Sequence, residues 1–221
     1  MFNNSENITQ AWRELAYDLG FEYKEGEEGL RELFEKMSQL QMSSFSTAEL
    51  DQIETTLNTP WVMALLGTIF PGAITGRHKD YEILISHTTS KRGDKHYPAV
   101  HIALFHPTPF ELKFSVKNQD FLGGLVERIF RKRYIQLEDP ELDPLVLVQG
   151  DDPHQIQLWL TASRMRDALL AMYQHDKRFE VNQQGLMWHS KDGRTIDRAT
   201  AEATIDIMVN TADALNNISS W

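Results

Sequence analysis

Six carboxylates bracket a short apolar run, and side chains of this type could hold a metal ion or supply acid–base chemistry. They lie in the segment 138–152 (EDPELDPLVLVQGDD), on either side of Leu145–Val148. If the apolar run is a strand, the two carboxylate groups are roughly 20 Å apart, because a strand advances about 3.3 Å per residue. The two groups therefore cannot converge on one metal ion by themselves.

The first three acidic residues of this segment have the spacing of a calcium loop. Asp139, Glu141 and Asp143 stand where such a loop has its first three ligands. A calcium loop also needs glycine at its sixth position and glutamate at its twelfth, and these positions hold Pro144 and Gly150. The sequence therefore argues against a calcium site.

Turn and cap chemistry accounts for the same residues. Asp139, Asp143 and Asp152 each directly precede a proline, and Asp-Pro favours the start of a turn. Asp152 before Pro153 also has the composition of a helix start, with an N-cap carboxylate and proline at the first helical position. We predict that these carboxylates are structural.

Histidines are the main enzymatic alternative. Histidine is the commonest metal ligand and a general base near neutral pH. Five of the eight histidines fall within a predicted sheet region: His78, His87, His96, His101 and His106. They form no H-x-H or H-E-x-x-H motif, and His101 and His106 are predicted on opposite strand faces. We predict no metal site, while a hydrolytic or metal-dependent enzyme that uses these histidines stays an alternative.

A basic segment is the main binding candidate. The run ERIFRKRY places four cations beside two aromatic rings, which suits phosphate contact with base stacking or contact with an anionic membrane surface. The candidate binding residues are Arg128, Arg131, Lys132, Arg133 and Tyr134. A solvated helix C-terminus would have the same composition. We favour neutralisation of the segment by the acidic residues of 138–141.

Composition and motifs narrow the classes of functional site that remain. The 221 residues include no cysteine, which excludes disulfides, thiolate nucleophiles and cysteine-ligated metals. G-x-S-x-G and phosphate-loop motifs are also absent, so we predict no catalytic residue and no cofactor. The net charge is −10, which disfavours a broad nucleic-acid footprint. The charge is −8 over 1–75, +5 over 76–133 and −7 over 134–221.

The N-terminus lacks the basic and apolar regions of a secretory signal. The longest apolar stretch, Trp61–Phe70, has about half of the roughly 20 residues that a membrane helix needs. We therefore expect no membrane span and a cytoplasmic location.

The hydrophobic periodicity predicts an α+β fold, with N-terminal helices followed by a mostly antiparallel sheet, interleaved packing helices and a long C-terminal helix. We interpret the chain as a single domain, 1–221, in which 27–70 is a helical elaboration. Helices are predicted over 8–19 (with Ser5 as N-cap), 27–42, 47–57, 61–70, 121–130, 153–160, 161–173 (with Thr161 as cap) and 197–216. Strands are predicted near 81–85, 99–104, 112–116, 145–148, 179–181 and 186–188, with a turn over 76–80 and a polar loop over 90–98.

The segment 139–172 (DPELDPLVLVQGDDPHQIQLWLTASRMRDALLAM) resembles a family of uncharacterised bacterial domains of unknown function. The shared pattern is D-P-x-[FL]-D, a strand ending in V-x-[GA]-x-D, a helix, and L-T before a second helix. Upstream matches are Gly76, His78 and Tyr81 in a hairpin, and Trp12, Leu15, Ala16, Gly20 and Phe21 near the start. The chain departs from the pattern over 27–70 and at Leu142, where an aromatic residue is common. The resemblance implies a shared fold and no particular activity.

Together these observations favour a non-enzymatic protein that binds a partner, in the first place another protein, through an exposed face. The alternatives are the histidine-based enzyme and a module that contacts anionic ligands or membrane surfaces weakly through residues 128–133.

Overall fold

The computed structural model of the chain describes residues 3–40, 72–92, 95–118, 134–190 and 195–219. The helices are α1 (Asn3–Leu19), α2 (Gly26–Leu40), α3 (Pro153–Thr161), α4 (Ser163–His175) and α5 (Arg198–Ser219). The strands are β1 (Glu22–Glu25), β2 (Gly72–His78), β3 (Tyr81–Arg92), β4 (Lys95–Phe105), β5 (Phe114–Asn118), β6 (Val146–Gly150), β7 (Phe179–Asn182) and β8 (Gly185–His189). The α+β class is confirmed. None of the described helices is both long enough and apolar enough to span a membrane.

The chain divides into two compact units. The first comprises residues 1–105 and 189–202, and the second comprises residues 106–188 and 203–221. The single domain expected from the sequence stays a prediction. Of the predicted elaboration, the part up to Leu40 is helical, and residues 41–71 lie outside the described part of the chain.

Antiparallel strands in the order β1-β2-β3-β4 form the sheet of the first unit. The alternating apolar residues of β3 predict a strand correctly, but the strand is buried on both faces. Ile83, Leu84 and Ile85 follow one another in the chain and are all buried. Because successive strand residues point to opposite faces, both faces of β3 are covered here.

Three details of this sheet differ from the sequence interpretation. The predicted polar loop over 90–98 is wrong for its described residues, because β3 and β4 continue to pair as far as Arg92 opposite Lys95. The predicted turn over 76–80 is too long, since β2 and β3 pair up to His78 opposite Tyr81 and only Lys79 and Asp80 form the turn. Strand β1 was not predicted.

Helix α2 packs against the sheet at a close contact. A Cβ atom placed on Gly29 would lie 2.2 Å from the carbonyl oxygen of Lys24 and 2.6 Å from the amide nitrogen of Ala73. Farther along the helix, Lys36 forms an ion pair of 2.7 Å with Glu82 of β3. Glycine thus allows the start of α2 to approach the backbone of β1 and β2.

The second unit has strands in the order β8-β7-β5-β6. Its hairpin β7–β8 confirms the hairpin predicted around Gly185. Helices α3 and α4 follow β6, and α4 contributes Met165, Leu169 and Met172 to the core. This arrangement confirms the strand and the two helices predicted in the segment that follows the Asp-Pro turns.

Helix starts were predicted with mixed success. Asp152 caps α3 as expected, since its carboxylate accepts a hydrogen bond of 3.0 Å from the amide of Gln155. Ser5 is not an N-cap, because it lies inside α1. Thr161 does not cap α4 either: its hydroxyl donates to the carbonyl of Gln157, and α4 starts after Ala162 without a side-chain cap.

Candidate functional site

The three aspartates of the acidic segment that precede a proline make turn and cap hydrogen bonds, as predicted. One carboxylate oxygen of Asp139 accepts hydrogen bonds from the amides of Glu141 and Leu142, at 2.9 and 3.0 Å. The carboxylate of Asp143 accepts a bond of 2.8 Å from the amide of Leu137. These oxygens hold the chain in a turn ahead of β6. No group of three or more histidine, aspartate or glutamate side chains that could hold a metal ion occurs within the described ranges.

Arg166 completes this turn, and the sequence interpretation missed it. From α4, Arg166 reaches Asp139 at 2.5 Å and also pairs with Glu141. The hydrogen bond from Arg166 is the main reason why the pKa of Asp139 lies below its ordinary value. Asp139 is buried, so the arginine neutralises a charge that would otherwise destabilise the fold.

Four of the five residues proposed for the basic binding site, Arg128, Arg131, Lys132 and Arg133, lie outside the described residues, as does the helix predicted over 121–130. Tyr134 is described and is half-buried, immediately before the isolated bridge between Ile135 and Val148. The neutralisation of these cations by Glu138, Asp139 and Glu141 stays a prediction, although Arg166 already contacts two of the three carboxylates.

The candidate histidines are distributed over β2, β3, β4 and the segment that follows β4. His78 ends β2, His87 lies on β3, and His96 lies on β4. His101 instead meets a histidine that the sequence analysis had not considered. Its ring lies edge-to-face with that of His189, with centroids 5.7 Å apart. Burial lowers the pKa of His101 to about 3, and the rings of His189 and His87 add to this shift.

His106 lies in the second unit. Its buried ring contacts that of Phe110, with centroids 4.6 Å apart, and burial lowers its pKa to about 4. It supports the wall of the cleft described next.

The second unit contains an open cleft of about 830 Å³ between the segment that follows His106, the start of α3 and the end of α5. We call it the aromatic cleft. Its lining residues are Pro107, Thr108, Pro109, Phe110, Glu111, Leu112, Asp152, Gln155, Trp159 and Asn216.

One wall of the aromatic cleft is an irregular segment, residues 106–113, that backbone hydrogen bonds hold in place. The amides of His106 and Phe110 donate to the carbonyls of Gln184 and Gln183, both at 2.9 Å. The amide of Asp151 donates to the carbonyl of Lys113 at 3.2 Å. Two prolines in the segment restrict its backbone further. The wall is therefore preorganised, although it contains no helix or strand.

Aromatic rings form the floor of the cleft. The ring of Phe110 contacts that of Trp159 edge-to-face, with centroids 6.0 Å apart, and lies 6.4 Å from that of Phe114. Phe110, Trp159 and Leu112 are half-buried, so part of each side chain faces solvent. Rings in such positions offer flat apolar surface at a low cost in conformational entropy.

An exposed apolar residue extends this surface. Leu158 is 58% exposed and lies next to Trp159 on α3. Its position three residues after Gln155 puts it beside a cleft-lining residue on the helix surface. Leu158 therefore exposes apolar surface on α3 beside the lining residue Gln155.

The rim of the cleft is polar and acidic. Glu111 and Asp152 are exposed, and Gln155 adds an exposed amide between them and Trp159. The cleft as described has no lysine, arginine or histidine among its lining residues. The lining thus combines aromatic contact surface with hydrogen-bonding groups and negative charge.

The sequence contained a signal for this cleft that was not used. The run HPTPFEL has two prolines and a phenylalanine between two strands. Such a segment cannot continue a regular ladder, and an apolar ring in it must pack or face a ligand. Its proximity to Trp159 and Asn216 depends on tertiary structure and could not be obtained from spacing.

Comparison of the chain with protein families, with curated proteins and with solved structures finds no match. The resemblance to the uncharacterised bacterial family therefore stays a prediction.

Proposed function

We propose that this is a non-enzymatic cytoplasmic protein that acts by binding a partner protein, and that the partner occupies the aromatic cleft. The observation that carries the proposal is the floor of Phe110, Leu112 and Trp159, held half-exposed by a preorganised wall. Partly exposed aromatic surface surrounded by a polar rim is typical of the residues that dominate the binding energy at protein interfaces.

The extent of the apolar surface favours a macromolecule over a small ligand. A volume of about 830 Å³ is in the upper range of small-molecule sites. The exposed side chain of Leu158 would remain uncovered by a ligand confined to the cleft. A partner segment that continues along α3 would cover Leu158 as well as the cleft floor.

The side chains that line the aromatic cleft are suited to binding a partner rather than to catalysing a reaction. The carboxylate of Asp152 already accepts a hydrogen bond as the cap of α3, and the floor side chains bind through contact area. Stacking and hydrogen bonding position a partner but supply no nucleophile.

Selection of random peptides displayed on phage against the purified full chain tests this proposal. We expect enriched peptides whose synthetic forms bind the protein and bind Trp159→Ala roughly thirtyfold more weakly, the loss typical of an aromatic hot spot. Tyr17→Ala is the matched control, because Tyr17 is an exposed aromatic residue of α1, in the other unit.

Two results would contradict the proposal. One is that no enriched peptide depends on Trp159. The other is catalytic turnover, in a panel of ester, phosphoester and glycoside substrates, that is lost in Glu111→Gln.

A further inference from the structure

We infer that the segment bound in the aromatic cleft is a positively charged stretch of the partner, in which an aliphatic or aromatic anchor is flanked by lysine or arginine. This inference rests on the proposed function and specifies the chemistry of the partner.

The first observation that supports a basic partner segment is that the two carboxylates lining the cleft have no described cation beside them. Elsewhere in the second unit, protein cations accompany the partly buried carboxylates: Arg166 pairs with Asp139, Arg178 with Asp176, and Lys117 with Glu180. Within the described residues, neither Glu111 nor Asp152 has a lysine or arginine within ion-pair distance. The cleft thus presents two negative charges that a bound segment can complement.

Two exposed charged residues, Asp151 and Lys113, are adjacent in sequence to lining residues of the cleft. Asp151 is exposed and directly precedes Asp152 at the cleft rim. The two carboxylates that line the cleft, those of Glu111 and Asp152, attract cations and repel phosphates. This arrangement favours a basic peptide over a nucleic acid or an anionic membrane as the occupant.

Aromatic rings of the floor suit both parts of such a segment. An apolar anchor can fill the space between Phe110, Leu112 and Trp159. The aliphatic stem of an adjacent lysine or arginine can lie along a ring, while its charged end reaches Glu111 or Asp152. The exposed amide of Gln155 can hydrogen-bond the backbone of an extended peptide.

Fluorescence anisotropy with labelled eight-residue peptides tests the inference on the full chain. The basic peptide is Gly-Lys-Arg-Leu-Phe-Arg-Lys-Gly. A second peptide replaces its four basic residues with glutamate, and a third replaces Leu-Phe with Gly-Gly. We expect the basic peptide with its anchor to bind tightest and to weaken as salt rises.

The charge-neutralising variant is Glu111→Gln combined with Asp152→Asn, which keeps an N-cap side chain at α3. We expect it to bind the basic peptide about fivefold more weakly, as for the loss of two surface ion pairs. The control is Glu138→Gln combined with Asp197→Asn. It changes the net charge equally and also alters one N-cap carboxylate, that of α5, whose Asp197 accepts a bond from Thr200. We expect this control to bind like the wild type.

The outcomes of these binding measurements distinguish a failure of the inference from a failure of the proposed function. Equal binding of the basic and acidic peptides, or no loss in the charge-neutralising variant, overturns the inference while Trp159-dependent peptide binding still supports the function. If no peptide of any composition depends on Trp159, both are overturned. Binding of duplex DNA or anionic phospholipid vesicles that is lost in Trp159→Ala would also overturn both.

Discussion

Asp152 combines two roles in one side chain. Its carboxylate accepts a hydrogen bond of 3.0 Å from the amide of Gln155 at the start of α3, and it also lines the aromatic cleft. Capping alone does not require a charge, since asparagine caps helices about as well as aspartate. The two roles can therefore be separated by substitution.

We expect Asp152→Ala to lower the free energy of unfolding by about 1 kcal/mol, the usual loss for an N-cap. Asp152→Asn should retain most of the stability, because its side-chain oxygen can accept the same hydrogen bond. Urea unfolding followed by circular dichroism measures both. Asp151→Ala, the exposed neighbour, is the control and should be close to the wild type. A loss in Asp152→Asn as large as in Asp152→Ala would show that the charge, not the cap, stabilises α3.

Arg166 connects α4 to the turn before β6 through Asp139 and Glu141. We expect Arg166→Met to shift the urea midpoint downwards, because the buried carboxylate of Asp139 loses its cation. Arg164→Met, at an exposed position two residues earlier, should shift it little.

The same pair has a defined pH dependence. Because the folded-state pKa of Asp139 is lowered, its stabilising effect is present above its ordinary pKa of 3.8 and is lost as the pH falls through the folded value. The difference between wild type and Arg166→Met should therefore be constant near neutral pH and shrink below about pH 4. A difference that grows on acidification would contradict this assignment.

At the scale of elements, periodicity predicted those strands and helices whose apolar residues recur regularly. Helix α5 and the β7–β8 hairpin were found in this way. The ends of β3 and β4 were not, because the residues from Ser90 to Tyr97 are mostly polar, and backbone pairing with the neighbouring strand carries the hairpin past the apolar pattern. Strand β1 has four residues without a buried face, so it exists only through its pairing with β2.

Gly29 gives a test in which helix propensity and packing predict opposite effects. Alanine is favoured over glycine inside a helix by roughly 1 kcal/mol, so propensity alone predicts that Gly29→Ala stabilises α2. The added Cβ, however, would lie 2.2 Å from a backbone carbonyl oxygen of β1. Since the backbone must move to relieve this contact, we expect the free energy of unfolding, measured with urea, to fall by about 1–3 kcal/mol.

Glu28→Ala, at the exposed preceding position, controls for helix propensity and should be nearly neutral. A more stable Gly29→Ala variant would mean that α2 packs less closely than described.

At the scale of the whole molecule, the sequence predicted only in part which charged groups pair and which distant residues come into contact. The sequence identifies acidic and basic segments, but it does not show which carboxylates meet a cation. Asp139 is neutralised by a residue 27 positions away, while Asp152, which the sequence groups with it, lines an open cleft. The aromatic cleft likewise joins residues that are distant in the chain, so its parts were visible in the sequence but their convergence was not.

Two histidines with lowered pKa values, the half-buried His101 and the buried His106, give the molecule an expected sensitivity to mild acid. The folded-state pKa values of His101 and His106 are about 3 and about 4, below the ordinary value of 6.5, mainly because burial disfavours the charged ring. Between these values and 6.5 the unfolded chain binds more protons than the folded chain. Stability is therefore complete above about pH 6.5 and is lost as the pH falls.

We expect the free energy of unfolding, measured with urea between about pH 6.5 and 4.5, to decrease by up to about 1.4 kcal/mol per pH unit for each of these histidines. This window lies above the range in which Asp139, Asp176 and Asp197 titrate in the folded state, because the pKa of each is lowered below 3.8.

His101→Gln and His106→Gln should each flatten the dependence of the free energy of unfolding on pH, and the double variant should remove most of it, whatever the cost of each substitution at neutral pH. His154→Gln, which removes an exposed histidine at the start of α3, is the matched control. If the double variant kept the wild-type slope, groups other than these two rings would be responsible for the acid sensitivity, and the neutral state assigned to them would be wrong.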